Sequence, residues 1–455
     1  MTYYQKTVSL LLFLYILSSS TSGQAPPASL RKIPAELLRQ DLRILIDSLK
    51  KDHPGLYRYR TREDMNGVFD SCLASIHDSM TATDFYALAC YLIASIEDGH
   101  TNCKLPRQVM NDYKSTVKLF PAFVLFIHNR AFIYCCKQYP GLAGAELLSI
   151  DYHPMEDITR RLFSYIPSDG SIQSRKNWEI GDGFPFFYNF LYGAANSFTI
   201  RYQLSTGEKR SATLQADLLD SFICPPPFKR PTDYLQLTYQ PGKIALLTIK
   251  TFYDGFLQQT NENFGQFLDS AFKDLKEKGV QKLIIDLRSN QGGNDENGSL
   301  LYAYLSQQPF RYYASLESTT GKFPESRHTN LSLQFPRSNN YKGKVWFLID
   351  GRSFSATAEF AAVARSNDRG LFVGEETGGG YYGNTSGSDA TVNLPNTHIS
   401  CRIPMVKYTL AVKQAAFKDR GILPDHEIYR SIQDILTNKD SQLEYAFRQA
   451  ERDDR

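Results

Sequence analysis

The chain has 455 residues, 42% hydrophobic and 22% charged, which is enough for two or three packed units and too apolar for a disordered protein. Its 51 basic and 48 acidic residues leave a net charge of +3, and no long basic run stands out, so the charge gives no case for a nucleic-acid partner. Aromatic residues make up 13%, so large side chains are expected to fill the core and clefts.

The first predicted element is a targeting segment. Lys6 precedes the apolar run from Val8 to Leu17, and small residues follow to Gly23. That order reads as a secretory signal over 1–23, because the apolar run is too short to span a bilayer comfortably. The mature chain is therefore expected to be exported, whether periplasmic, cell-surface or extracellular, with no stable membrane span after cleavage. Seven cysteines remain, an odd number that leaves at least one unpaired. Cys72 and Cys90 can bridge two helices or be small buried apolar residues, and the second reading is preferred. No Cys-x-x-Cys pair suggests a structural zinc site.

Residues 24–103 read as an N-terminal helical bundle. Leu38, Leu42, Leu45, Ile46 and Leu49 recur at three and four residues and form one apolar face. The bundle is expected to end at Glu97-Asp98-Gly99-His100-Thr101, where glycine breaks the helix and presents His100 on a turn. Residues 115–230 read as a β-rich middle with one or two helices, from short apolar runs at Phe120–Ile127 and Ala131–Cys135 and a hairpin around Thr206-Gly207. From 233 to 455, strands apolar on both faces alternate with helices, the pattern of a largely parallel α/β sheet.

Three loops follow strand ends in that α/β part, where such sheets place their sites. In Asp286-Leu287-Arg288-Ser289-Asn290-Gln291-Gly292-Gly293, the paired glycines let backbone N–H groups approach a ligand oxygen, which suits an oxyanion hole or a plain tight turn. In Ser353-Phe354-Ser355-Ala356, Ser355 opens a helix. Its N-terminus and the Ala356 N–H favour developing negative charge, although a serine there reads by itself as an N-cap. The run Gly374-Glu375-Glu376-Thr377-Gly378-Gly379-Gly380 is a groove-shaping loop or a surface loop. A nucleophilic serine needs a base, and His100 is one candidate among eight histidines.

Taken together, Asp98-Gly99-His100-Thr101, the Leu283–Gly293 segment, Ser353–Phe360, Val373–Gly379 and Gly421-Ile422-Leu423-Pro424-Asp425 resemble, in order, the tail-specific (C-terminal processing) serine peptidase family. The resemblance covers about 233–428 well and the helical N-terminal part weakly. It implies a crotonase/ClpP-like α/β catalytic core, Ser355 as nucleophile, and an oxyanion hole from Ala356 with Gly292 or Gly293. Members with a Ser–Lys dyad carry the lysine where this chain has Gly380, so that dyad is absent here. The chain looks like the tricorn-core branch, with His100 as base and an acidic residue to orient it. Glu375, Asp98 and Asp425 are the candidates for that acid, Glu375 first. In that branch a serine precedes the histidine, and Gly99 stands there instead. The middle region resembles a degenerate PDZ-like module through Gly144–Pro154, without a recognisable carboxylate-binding loop.

The function implied is exported serine peptidase activity on peptide or protein substrates, with no metal or organic cofactor. The alternative is a non-catalytic carrier of apolar ligands or peptides on the same fold. An ester substrate is a third possibility.

Overall fold

A computed structural model describes residues 31–226 and 231–452. The expected signal segment lies outside the described residues. Among those described, no helix is long and apolar enough to cross a membrane.

The N-terminal part is helical as expected, with α1 (Ala35–Asp52), α2 (Arg62–Ala74) and α3 (Ala82–Ala94). Two capping boxes start the latter helices. The Thr61 and Thr81 hydroxyls accept from the backbone N–H groups of Asp64 and Asp84, whose carboxylates accept in return. Leu38, Leu42, Leu45 and Leu49 of α1 are fully buried, so the periodic stripe does face a core. After the His100 turn come β1 (Asn102–Lys104) and α4 (Arg107–Thr116).

The middle part is an antiparallel sheet, β2 (Phe123–Ile127), β3 (Arg130–Cys135), β4 (Glu146–Ile150), β5 (Ser197–Gln203) and β6 (Lys209–Gln215), hydrogen-bonded in chain order. Between β4 and β5 run α5 (Met155–Phe163) and the long α6 (Ser174–Tyr192). Gly181, Gly183 and Pro185 disguise α6 in the sequence; the helix survives with a kink at Gly183, whose φ and ψ leave the helical region. Cys135 at the end of β3 is bonded to Cys224. Cys72, Cys90 and Cys136 are free, and Cys72 and Cys136 are buried, in line with the preferred reading of Cys72.

The α/β part is built on a six-stranded sheet in the order β7 (Leu235–Gln240), β8 (Ile244–Ile249), β9 (Lys282–Asp286), β11 (Lys344–Ile349), β12 (Leu371–Gly374) and β15 (His426–Glu427). Only the β7–β8 pair is antiparallel. Every residue of β9 is buried, as expected of a strand covered on both faces. The covering helices include α7 (Phe264–Glu277), α8 (Asp295–Ala303), α9 (Ala356–Ser366) and, at the end, α10 (Ser441–Arg452). A second, antiparallel sheet was not anticipated: β14 (Ser400–Leu410) pairs with β10 (Tyr313–Ser318) on one side and β13 (Thr385–Asn393) on the other. β13 has no run of alternating apolar residues and carries Gly387, so it has no strand signal of its own. β1 adds to β14, and Cys103 of β1 is bonded to Cys401 of β14. That bond ties the strand following His100 to the part of the chain that carries Ser355.

Candidate active site

β9 ends at Asp286, and the loop after it is organised by Asn290, which is fully buried. The Asn290 side-chain N–H donates to the Ile249 carbonyl (3.1 Å), its Oδ1 accepts from Gly292 N–H (2.9 Å), and its carbonyl accepts from Phe354 N–H (3.1 Å). One asparagine thus joins the ends of β8 and β9 to the serine loop. Gly292 and Gly293 both have positive φ, +94° and +138°. A Cβ on Gly292 would stand 2.7 Å from the Ser355 Cβ and 2.9 Å from the Ala356 nitrogen, so only glycine brings this backbone so close to the serine. The two glycines differ in one respect. The Gly292 N–H is taken by Asn290, whereas the Gly293 and Ala356 N–H groups have no acceptor among the described residues. The available donor pair beside Ser355 is therefore Gly293 and Ala356.

β11 ends at Ile349, and Asp350 braces the next turn. Its carboxylate accepts from the N–H groups of Ser289 (3.0 Å) and Arg352 (3.0 Å), holding the glycine loop and the serine loop together. Ser355 then takes φ 55° and ψ −130°, a conformation non-glycine residues rarely adopt. It occupies the N-cap position of α9 but makes no side-chain capping hydrogen bond. The plain capping reading therefore fails, and a strained serine with an uncommitted hydroxyl remains.

The third loop is not a surface loop. Thr377, Gly378, Gly379 and Gly380 are buried. A Cβ on Gly379 would stand 2.7 Å from the Ala358 Cβ, so the loop packs on the start of α9. Gly380 N–H donates to Asp169 (3.0 Å), and the other Asp169 oxygen accepts from Gly99 N–H (2.8 Å). Asp169, between α5 and α6, thereby joins the histidine turn to the loop over 374–380. Burial foremost, with Asp98 nearby, raises its pKa to about 6. Sequence reading missed Asp169, Asn290 and Asp350, since polar residues in loops carry no period that singles them out.

His100 is brought to the same cavity as Ser355, a cleft of about 680 Å³ that Gly293, Ala356, Phe354, Arg175 and Arg402 also line and that no lysine lines. Its turn is built by Asp98, whose Oδ1 accepts from the N–H groups of His100 and Thr101 (3.0 Å each). Below it, Gly55 N–H donates to His53 Nδ1 (3.1 Å), which leaves Nε2–H to face the Thr101 hydroxyl (2.8 Å). His100 is 6% exposed, and neither ring nitrogen has a hydrogen-bond partner among the described residues. No hydrogen bond joins its ring to Ser355. Burial foremost, with Arg175, Arg402 and Arg58 adding to it against Asp98, lowers its pKa to about 3, so the imidazole is neutral at physiological pH.

None of the three candidate acids bonds that ring. Asp98 spends its Oδ1 on its own turn. Asp425 is held by Arg365 (2.8 Å) and the Phe372 N–H (2.7 Å). Glu375 lines an adjoining cavity of about 1210 Å³, among Asp350, Arg288 and Trp178, and is not among the charged groups that act most strongly on His100. Burial foremost, together with Asp350, raises the Glu375 pKa to about 8. Among the described residues, no group of His, Cys, Asp and Glu is placed to hold a metal ion.

Residues 243–428, the segment that carries all three strand-end loops and the serine helix, match the model of peptidase family S41. The chain carries a peptidase family S41 domain. That match supports a serine-type peptidase. Among solved structures, mature CPAF is similar over 90% of this chain and 96% of its own, at 14% identity and a TM-score of 0.61. Mature CPAF complexed with lactacystin is similar over 91% and 97%, at 15% identity and a TM-score of 0.60. At such identities the likeness is one of fold, and it extends beyond the S41 domain into the N-terminal and middle parts.

Proposed function

We propose that this S41 domain hydrolyses peptide bonds by acyl transfer through Ser355, with His100 as general base and the N–H groups of Ala356 and Gly293 as the oxyanion hole. The observation that carries this reading is the Ser355 backbone. A residue held at φ 55° without a capping bond, beside two uncommitted N–H donors, is strained for a reason other than helix capping. Neutral His100 accepts the Ser355 proton as the hydroxyl attacks the scissile carbonyl. The two donors hold the oxyanion, and His100 returns the proton to the leaving amine. Water then releases the acyl group by the same route. In the free protein the two side chains are not yet bonded, and catalytic hydrogen bonds commonly close only on substrate binding.

The architecture is read as a crotonase/ClpP-like core over 233–455, a helical bundle over 24–103 and a degenerate PDZ-like middle over 115–230. Export is supported by the signal-like segment and by two disulfides, which persist in oxidising compartments.

The test is intact-mass analysis after treatment with a fluorophosphonate probe. Single labelling of the wild type, lost in Ser355→Ala and in His100→Ala, is expected. Labelling that persists in Ser355→Ala would sink the nucleophile assignment. Absence of any labelling would favour the carrier reading.

A further inference from the structure

We propose that Phe354, backed by Arg175, is the positioning residue for His100, holding the imidazole by stacking where a triad would use a carboxylate. The inference rests on the reading of His100 as base and deepens it. The Phe354 ring lies 4.4 Å from the His100 ring at 24°. The Arg175 guanidinium lies 3.7 Å from the Phe354 ring centroid, and Phe354 is 6% exposed. With both imidazole nitrogens unpartnered, this stack is the ring's defined directional contact.

The stack also explains Gly99. A Cβ at that position would stand 3.0 Å from Phe354 Cε2 and Cζ, so the side chain missing from residue 99 leaves room for the aromatic ring. Phe354 directly precedes Ser355, and its N–H donates to the Asn290 carbonyl of the glycine loop (3.1 Å). One residue therefore links the orientation of the base to the backbone of the nucleophile and to the oxyanion loop. Arg175 comes from α6 of the middle part and is anchored by Glu179 (2.9 Å). The N-terminal turn, the serine loop and the middle region thus meet in one His–Phe–Arg column.

The ionisable groups that act most strongly on His100 are Asp98, Arg175, Arg402 and Arg58, and Asp254, Asp295 and Glu359 line the same cleft. Asp98 and Arg402 remain in place when Arg175 is changed, and Arg402 is itself paired with Asp389 (2.7 Å). Removal of the Arg175 charge should therefore move the imidazole titration in one direction, upward.

The experiment measures the fluorophosphonate labelling rate of the full chain against pH for wild type, Phe354→Leu, Phe354→Tyr and Arg175→Met, with His100→Ala as reference. Phe354→Leu is expected to slow labelling by roughly tenfold to a hundredfold per folded molecule, as loss of orientation does. Phe354→Tyr is expected to restore most of that rate. Arg175→Met should shift the acid limb of the profile to higher pH, which a purely structural role would not do. Wild-type rates and profiles in both Phe354→Leu and Arg175→Met would overturn the proposal. If Phe354→Leu does not fold, an unshifted limb in Arg175→Met overturns it alone. Undiminished labelling of His100→Ala would instead overturn the assignment of the base, a distinct failure.

Discussion

At Ser355 the backbone strain costs on the order of 1–3 kcal/mol, and surrounding contacts must hold it. The glycine loop is one of those contacts, through the close approach of Gly292. Gly292→Ala forces a Cβ to within 2.7 Å of the Ser355 Cβ at a φ of +94°, so one of the two backbones must shift. Since the Gly293 donor moves with that loop, the fluorophosphonate labelling rate is expected to fall by about a hundredfold or more. An unchanged rate would show that this approach does not set the donor position. Proton accounting belongs to the same scale. A base whose pKa is lowered to about 3 stays unprotonated through mildly acid pH, so the labelling rate should hold its plateau well below pH 6.5 before the acid limb appears. A limb centred near the ordinary histidine value would contradict the lowered pKa of His100.

Elements place these residues, and the histidine turn depends on contacts from outside its own helix. Asp169 accepts from Gly99, and β1 is stitched to β14 by the Cys103–Cys401 bond across 298 residues of chain. A cross-link closing so long a loop constrains the unfolded chain by about 5–6 kcal/mol in the loop-entropy account. Cys401→Ser is therefore expected to lower the melting temperature and, because β1 begins two residues after His100, to slow labelling as well. A lowered melting temperature with an unchanged labelling rate would mean that Asp169 and Asp98 suffice to hold the turn. The unexpected elements lie in the same region. α6, which supplies Arg175, hides behind two glycines and a proline. β13 hides behind small and polar residues, because its place is set by pairing with β14 and not by any apolar alternation of its own.

Across the whole molecule, several buried groups titrate against folding in opposite directions. Glu375 (about 8), Glu359 (about 7) and Asp169 (about 6) bind protons more tightly folded than unfolded, all three through burial first. What they contribute is fully present below the ordinary carboxylate range and is lost as pH rises through those values. His100 and His53 are lowered by burial, so their contribution is lost as pH falls below about 6.5. Stability is thus expected to be greatest in mildly acid solution. Glu375→Gln removes the highest of the raised titrations. Its melting temperature should exceed that of the wild type by a few degrees at pH 9 and approach it at pH 5. Equal melting temperatures at both pH values would show that Glu375 ionises without penalty.

Much of this was written in local pattern. The stripe of α1, the fully apolar β9 and the strand–turn–helix around Ser355 each follow from periodicity over a few residues, because backbone hydrogen bonding and one buried face decide them locally. The order of the five motifs carries the resemblance to the tail-specific serine peptidase family. Tertiary structure alone decided which glycine N–H is free, since Asn290 claims one of them. It alone set Glu375 in a different cavity from His100, and it alone set Phe354 against the imidazole. Those outcomes depend on which loops converge from segments hundreds of residues apart, and burial and hydrogen-bond competition at such a junction leave no period in the chain.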